Sequence, residues 1–173
     1  ILLDIQGRIS AMSLIHETLY QSDNLAQVDF LVYLDALSRN LESALAPVGR
    51  PLSLQCLGQA IELPIDHAIP LGLIANELLT NAMKHAFPPE WEGRAQVSAT
   101  TGRSESGRPF LEVEDNGIGF PESSAGDSRM PAGYSAQLGL QLVRLLAEQL
   151  CATIDLDRPP SGKGTRWRVE LPV

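Results

Sequence analysis

The stretch ELLTNAMKHA, residues 77–86, has the polar and apolar spacing of an amphipathic helix. Its polar members include Glu77, Asn81, Lys84 and His85. These four are spaced at i, i+4, i+7 and i+8, which at about 100° per residue places them within roughly 100° of one helix face. Apolar members fall on the other side, so one face can pack while the other presents the four polar groups. The spacing predicts a helix over residues 70–86, ended by the two prolines that follow.

The polar face of this helix suits a phosphorylated ligand. The amide oxygen of Asn81 is a hard donor of the kind that Mg²⁺ prefers, and the ammonium of Lys84 can bind a phosphate as a point charge. Glu77 can accept a proton or position a nucleophile. The alternative is an amphipathic helix whose polar face is only solvated, and this stretch alone does not exclude it.

A strand that ends in a carboxylate is predicted at EVEDNGIGF, residues 112–120. Asp115 at the strand end is an acceptor for an exocyclic amine such as the adenine amino group. Gly117 and Gly119 let the backbone approach a ligand closely. The alternative is an ordinary Asn-Gly turn.

Two further segments are marked by glycine. Gly139 stands at the start of a helix predicted over residues 138–150, where free N–H groups form an anion site. The sequence GKGT, residues 162–165, leads into the last predicted strand. Taken alone, the first is compatible with a structural helix start and the second with a β-turn.

Hydrophobic periodicity around these segments predicts two N-terminal helices followed by an α+β sandwich, in which helices cover a mixed β-sheet. Helices are expected at residues 2–20, 27–45, 70–86 and 138–150, and strands at residues 52–57, 60–63, 95–101, 110–115, 152–157 and 165–171. The strands 95–101 and 110–115 flank a polar, glycine-containing connector, which favours a hairpin. Residues 120–137 have few apolar anchors and are predicted to form a loop about as long as an active-site lid.

The first predicted helix carries a heptad-like apolar seam that favours a partner helix. The seam consists of Leu2, Ile5, Ile9, Met12 and Leu19, with His16 in the missing slot. Because this pattern is already in phase at Ile1, we expect the chain to open inside a helix of a longer protein.

Composition excludes several classes of protein. The chain has 173 residues and a formal net charge of -8, without the clustered Lys and Arg that nucleic acids or anionic membranes require. Its apolar runs are far shorter than the ~20 residues that span a bilayer, so no direct membrane contact is expected. Only Cys56 and Cys151 are present, which supports neither a disulfide framework nor a zinc site. A cytoplasmic location fits best.

Together and in this order, the four segments resemble the N, G1, G2 and terminal Gly-Thr boxes of the GHKL ATP-binding domain. Histidine kinases share this domain with type II topoisomerases, mismatch-repair ATPases and heat-shock chaperones. Residues 77–88 are similar to the N box of sensor histidine kinases of the second HisKA family, which is related to the HWE kinases, and residues 8–20 resemble the second helix of its dimerisation and phosphotransfer domain. Residues 111–114 lack the Trp-x-Glu signature of HWE members, which favours the second HisKA family.

The resemblance implies a two-layer α/β sandwich that binds ATP and Mg²⁺. It assigns nucleotide contacts to Asn81, Lys84, His85, Asp115, Gly117, Gly119, Gly139, Leu140 and Thr165, and an ATP lid to residues 120–137. Asn81 would ligate the Mg²⁺ that bridges the ATP phosphates, Lys84 would contact a phosphate, and Glu77 would assist the attacking nucleophile. Asp115 would accept a hydrogen bond from the adenine amino group, with Thr165 supporting it through water.

The resemblance also implies where the phosphoryl group goes. Residues 1–24 would be the C-terminal part of the dimerisation and phosphotransfer helices, and residues 25–173 the catalytic domain. None of His16, His67 and His85 fits the phosphoacceptor, which is expected upstream of Ile1. The partner would be a response regulator, whose aspartate receives the phosphoryl, and the seam of the first helix could pair within a chain or between the chains of a homodimer.

Two other functions stay open at the level of sequence. The chain could be a GHKL serine kinase or ATPase, although its N-terminal helices resemble a phosphotransfer stalk. It could also be a degenerate GHKL module that signals by nucleotide binding and partner docking alone. Calorimetry with Mg-ATP separates a module that does not bind nucleotide from an enzyme.

Overall fold

A computed structural model describes residues 2–21, 27–45, 51–119 and 138–172, without the side chains of residues 2–6, 16 and 18–21. The helices are α1 (Leu2–Gln21), α2 (Phe30–Leu45), α3 (Ile65–His85) and α4 (Leu138–Gln149). The strands are β1 (Gln27–Asp29), β2 (Leu52–Gly58), β3 (Glu62–Pro64), β4 (Ala95–Arg103), β5 (Pro109–Asp115), β6 (Thr153–Asp157) and β7 (Thr165–Glu170). The lid predicted at residues 120–137 and the side chain of His16 lie outside the described residues.

A five-stranded mixed sheet has the order β2-β4-β5-β7-β6, with β2 parallel to β4 and the other pairs antiparallel. The hairpin predicted between β4 and β5 is confirmed. Along β5, Leu111 and Val113 are buried while Glu112 and Glu114 on the opposite face are half-exposed. This period of two explains why helices cover one face of the sheet and leave the other polar. The predicted mixed α+β sandwich is therefore confirmed.

Helix α3 forms the centre of the helical layer, with every residue from Leu71 to Leu79 buried. It begins at Ile65, five residues before the predicted start, and Pro70 lies inside it. The proline removes one helical hydrogen bond, to the carbonyl of Asp66 near the exposed helix start, while burial of Ala68 stabilises the added turn. His67 consequently lies in the first turns of α3.

The segment before α2 was predicted to be helical and instead forms β1, which pairs with β3 in a small antiparallel sheet. Val28 and Leu63 face each other in this sheet and are both buried. The side chain of Asp29 accepts hydrogen bonds from the backbone N–H groups of Leu31 and Val32 at 3.0 and 3.2 Å. This cap satisfies free donors at the helix start, so α2 begins only after it.

Helix α1 packs against α3 through Ile15, which is 0% exposed, and Ala11 one turn earlier is 1% exposed. The contact is close because Gly72 of α3 has no side chain: a Cβ there would lie 2.8 Å from Cδ1 of Ile15. Two residues of the predicted seam, Ile9 and Met12, are 59% and 43% exposed. The face of α1 that packs within the chain is therefore not the face on which these two residues lie. Among the described residues, no helix is long and apolar enough to cross a membrane.

Candidate nucleotide-binding site

The end of β5 crosses directly over the C-terminal end of α3. A Cβ on Gly117 would lie 2.2 Å from the carbonyl oxygen of Ala86, so only glycine permits this approach. The backbone N–H of Ile118 donates to the same carbonyl at 2.9 Å. The contact joins the first two segments that the sequence singled out.

Glycines also bring the start of β7 against the end of β5. Gly164 has a φ of +95°, and a Cβ on it would lie 1.8 Å from the carbonyl oxygen of Asp115. Gly119 has a φ of +67° and would place a Cβ 2.7 Å from the carbonyl oxygen of Gly164. The GKGT segment therefore belongs to the same site. It can be both a turn and part of the site, so the two interpretations of this segment do not exclude each other.

Asp115 is the buried carboxylate of this site, only 6% exposed. Its Oδ1 accepts a hydrogen bond from the backbone N–H of Gly117 at 2.9 Å, and Thr165, its partner across the β5–β7 ladder, also donates to it. Burial raises the pKa of Asp115, and the nearby charge of Glu114 acts in the same direction, while the hydrogen bonds from Gly117 and Thr165 oppose it. A carboxylate held this way is a directed hydrogen-bond acceptor.

The remaining polar residues of α3 lie along its last turns. Asn81 is half-buried, and its Nδ2 is buried without a hydrogen-bond partner in the part of the chain that the structure describes. A buried amide nitrogen normally donates a hydrogen bond, so this one fits a ligand that supplies an acceptor oxygen. Lys84 and His85 follow on the exposed end of the helix. Their positions agree with the predicted polar face.

Glu77 departs from that prediction, because its side chain does not face solvent. The residue is 7% exposed and forms an ion pair with Arg8 of α1, in which Nε lies 2.8 Å from Oε1 and Nη2 lies 3.2 Å from Oε2. A Cβ on Gly139, in the first turn of α4, would lie 2.5 Å from Oε2. The carboxylate thus joins α1, α3 and α4.

Sequence reasoning missed Arg8 as a residue of this site, because 69 residues separate it from Glu77. One signal was present. Arg8 is the single Lys or Arg of α1, and it shares a helix face with Ala11 and Ile15 at spacings of three and seven. A lone cation on a buried face requires a partner.

Leu140, to which the resemblance assigned a nucleotide contact, is 2% exposed and belongs to the hydrophobic core. Its side chain anchors the first turn of α4 beneath the site. Gly139 just before it keeps that turn close to α3. The structure therefore brings described residues of all four sequence segments around the C-terminal half of α3.

Residues 66–173 match the family model described as "Histidine kinase-, DNA gyrase B-, and HSP90-like ATPase". The chain belongs to this ATPase family. Residues 1–45 match the HisKA_2 family model, described as "Histidine kinase". The predicted histidine kinase family is confirmed by these two matches.

Two relatives share the whole length of this ATPase domain and its N-terminal helices. Blue-light-activated histidine kinase 2 of Erythrobacter litoralis is 28% identical over 171 residues, which cover 98% of this chain and 46% of the relative. Sensor histidine kinase PdtaS of Mycobacterium tuberculosis is 31% identical over 178 residues, covering 99% of this chain and 32% of the relative. The chain spans less than half the length of either relative.

A solved structure supports the fold. The histidine kinase domain of the Erythrobacter litoralis EL346 blue-light-activated kinase superposes with a TM-score of 0.79 at 22% identity, covering 98% of this chain and 74% of that one. The match includes α1, so the arrangement of an N-terminal helix against the ATPase sandwich has a counterpart in an experimental structure.

Proposed function

We propose that this chain is the catalytic region of a two-component sensor histidine kinase, which transfers the γ-phosphoryl of Mg-ATP to a histidine on a helix N-terminal to α1. The phosphoryl then passes to an aspartate of a response regulator. The observation that carries the proposal is the junction of Asp115, three close-packed glycines and the polar turns of α3 at one site.

Adenine recognition falls to the end of β5. Asp115 is buried, and the hydrogen bonds from Gly117 and Thr165 fix its carboxylate in place. A fixed, buried acceptor selects a ligand with an exocyclic amine, which is the group that distinguishes adenine from guanine at that edge. Thr165 would support this contact through a water molecule.

Phosphate binding falls to the C-terminal end of α3 and the first turn of α4. The ammonium of Lys84 and the imidazole of His85 lie where an anion can reach them, and free N–H groups at the start of α4 add a partial positive charge. Mg²⁺ usually takes one or two protein ligands together with substrate phosphates, so the single amide of Asn81 suffices to hold it. When bound, the ion neutralises the charge that develops on the transferred phosphoryl group.

Glu77 would act on the nucleophile. Phosphoryl transfer chiefly requires that the attacking histidine be positioned, and the Glu77 carboxylate would accept a hydrogen bond from the imidazole N–H of that histidine. Residues 1–24 would belong to the phosphotransfer part of the protein and residues 25–173 to the catalytic part. The exposed Ile9 and Met12 of α1 are the surface through which two chains would pair. The catalytic region would lie in the cytoplasm, where ATP and the response regulator are available.

The test is isothermal titration calorimetry with Mg-ATP on Asp115→Ala and Asn81→Ala, followed by autophosphorylation of the full-length protein. We expect both variants to stay folded, to lose most of the affinity for Mg-ATP and to lose autophosphorylation. The matched controls are Asp155→Ala and Asn40→Ala, which remove an exposed carboxylate and an exposed amide elsewhere. Wild-type affinity and activity in the site variants would contradict the proposal.

A further inference from the structure

The ion pair between Arg8 and Glu77 joins the helix that matches the phosphotransfer family to the residue proposed to assist the nucleophile. We propose that Arg8 is a positioning residue that withholds Glu77 from the phosphoryl acceptor, so that the pair must open before transfer. The proposal rests on the function proposed above for Glu77. In this proposal α1 regulates phosphoryl transfer through Arg8 and also packs in the hydrophobic core.

The geometry leaves the carboxylate of Glu77 little capacity for another donor. Arg8 contacts both oxygens side-on, with one nitrogen on each, and Asn76 Nδ2 lies 3.5 Å from Oε1. Oε2 also lies against Gly139, where an added Cβ would be 2.5 Å from it. An incoming imidazole N–H would compete with the two charge-assisted hydrogen bonds of the Arg8 guanidinium for the same oxygens.

The surroundings of the pair show that it can open. The side chain of Arg8 is 25% exposed, so water can solvate the guanidinium when it leaves. Next to the ion pair, Asn76 is only 3% exposed, and its Oδ1 has no hydrogen-bond partner among the described residues. An interface that leaves a buried acceptor unsatisfied is less stable than its close packing suggests, and opening would hydrate that acceptor.

The rest of α1 offers a pivot. Ala11 and Ile15 anchor the helix in the core, one and two turns beyond Arg8. Gly7 lies just before Arg8, and a Cβ there would meet atoms no closer than 3.9 Å, so packing does not require glycine at this position. Because glycine is a poor helix former, the first two turns of α1 can bend away while Ile15 stays in place.

The experiment uses Arg8→Gln in the full-length protein, with Arg39→Gln as control because Arg39 forms an exposed ion pair on α2. Autophosphorylation is measured over a range of ATP concentrations. We expect kcat to rise about tenfold for Arg8→Gln, since the open arrangement becomes more populated, with KM for ATP unchanged. Arg8→Lys keeps the charge without the fork and should give an intermediate rise. Arg39→Gln should match the wild type.

A second variant keeps the proposal testable if Arg8→Gln does not fold. Gly7→Ala fits the available space and stiffens α1, so it should lower kcat about fivefold with no loss of thermal stability. Hydrogen–deuterium exchange supplies a readout independent of activity: amides of residues 2–10 should exchange faster in Arg8→Gln, and those of α2 should not change.

Three outcomes would overturn the inference. A fall of kcat in Arg8→Gln that Arg8→Lys restores would mean that Arg8 orients Glu77 for reaction. Equal kcat in Arg8→Gln and wild type would mean that the pair does not control transfer. Unchanged exchange in residues 2–10 would mean that the pair does not hold α1. If the wild type itself fails to bind Mg-ATP, the proposed function is wrong, whereas the exchange experiment still reports on the pair.

Discussion

Replacing Gly117 by alanine should weaken Mg-ATP binding and lower the stability of the protein. A Cβ at this position would lie 2.2 Å from the carbonyl oxygen of Ala86 and 2.6 Å from its Cβ, whereas ordinary contacts lie at 3.4–4 Å. The end of β5 would therefore have to move away from α3 by roughly 1 Å. That movement breaks the 2.9 Å hydrogen bond from Ile118 to Ala86.

The magnitude follows from these contacts. Overpacking of this kind costs roughly 1–3 kcal/mol, and the lost backbone hydrogen bond adds about 1 kcal/mol. The N–H of Gly117 also donates to Oδ1 of Asp115, so a displaced loop carries the proposed adenine acceptor with it. A loss of about 1.4 kcal/mol in binding corresponds to a tenfold higher Kd, and we expect at least about that.

Urea unfolding followed by circular dichroism measures the stability, and isothermal titration calorimetry measures the Kd for Mg-ATP. Gly107→Ala is the control, because Gly107 lies in the β4–β5 turn with a φ of +80° and no described atom within 4 Å of an added methyl group. It should cost about 1–2 kcal/mol of backbone strain and leave the Kd unchanged. A Gly117→Ala variant with the urea midpoint and the Kd of the wild type would contradict this prediction.

Four further predictions concern buried side chains. Because burial raises the pKa of Asp115, Mg-ATP affinity should fall on acidification at a higher pH than an ordinary aspartate would give; calorimetry across pH checks this. Because the pKa of Asp115 is higher in the folded than in the unfolded protein, the free energy of unfolding falls as the pH rises through the folded pKa. Asp115→Asn removes this ionisation, so it should raise the urea midpoint at pH 7 while weakening ATP binding. Ile15→Ala should cost about 2–4 kcal/mol in urea unfolding, since the side chain is fully buried, and an unchanged midpoint would place α1 outside the core. Iodoacetamide should modify the exposed Cys151 before the half-buried Cys56, whose pKa burial raises; equal rates by mass spectrometry would contradict the structure.

Much of the fold could be predicted from local pattern. The alternation of Leu111 and Val113 with charged neighbours predicts a strand with one buried face, and the connector before it predicts the hairpin. Element boundaries follow less closely from the sequence where tertiary contacts override local preference. Pro70 marked a helix start in the sequence, yet α3 continues five residues further back because Ala68 packs in the core.

The candidate site shows the same division. The spacing of Glu77, Asn81 and Lys84 put the three residues on one helix, and residue chemistry suggested phosphate and Mg²⁺. Which of them faces a ligand depended on what packs against the helix. Glu77 is covered by α1 and α4, whereas Lys84 lies about two turns further along α3 and is exposed.

By itself the sequence determined the chemical repertoire: the helix with its polar residues, the strand ending in Asp115, and glycines at the positions where backbones meet. Such features are local, because helical spacing and the absence of a side chain are properties of a few neighbouring residues. Only the tertiary structure decided that Arg8 pairs with Glu77, since a contact between residues 69 positions apart depends on how whole helices pack. The sequence determines which polar groups are present, and the packing determines which of them are buried and which are exposed.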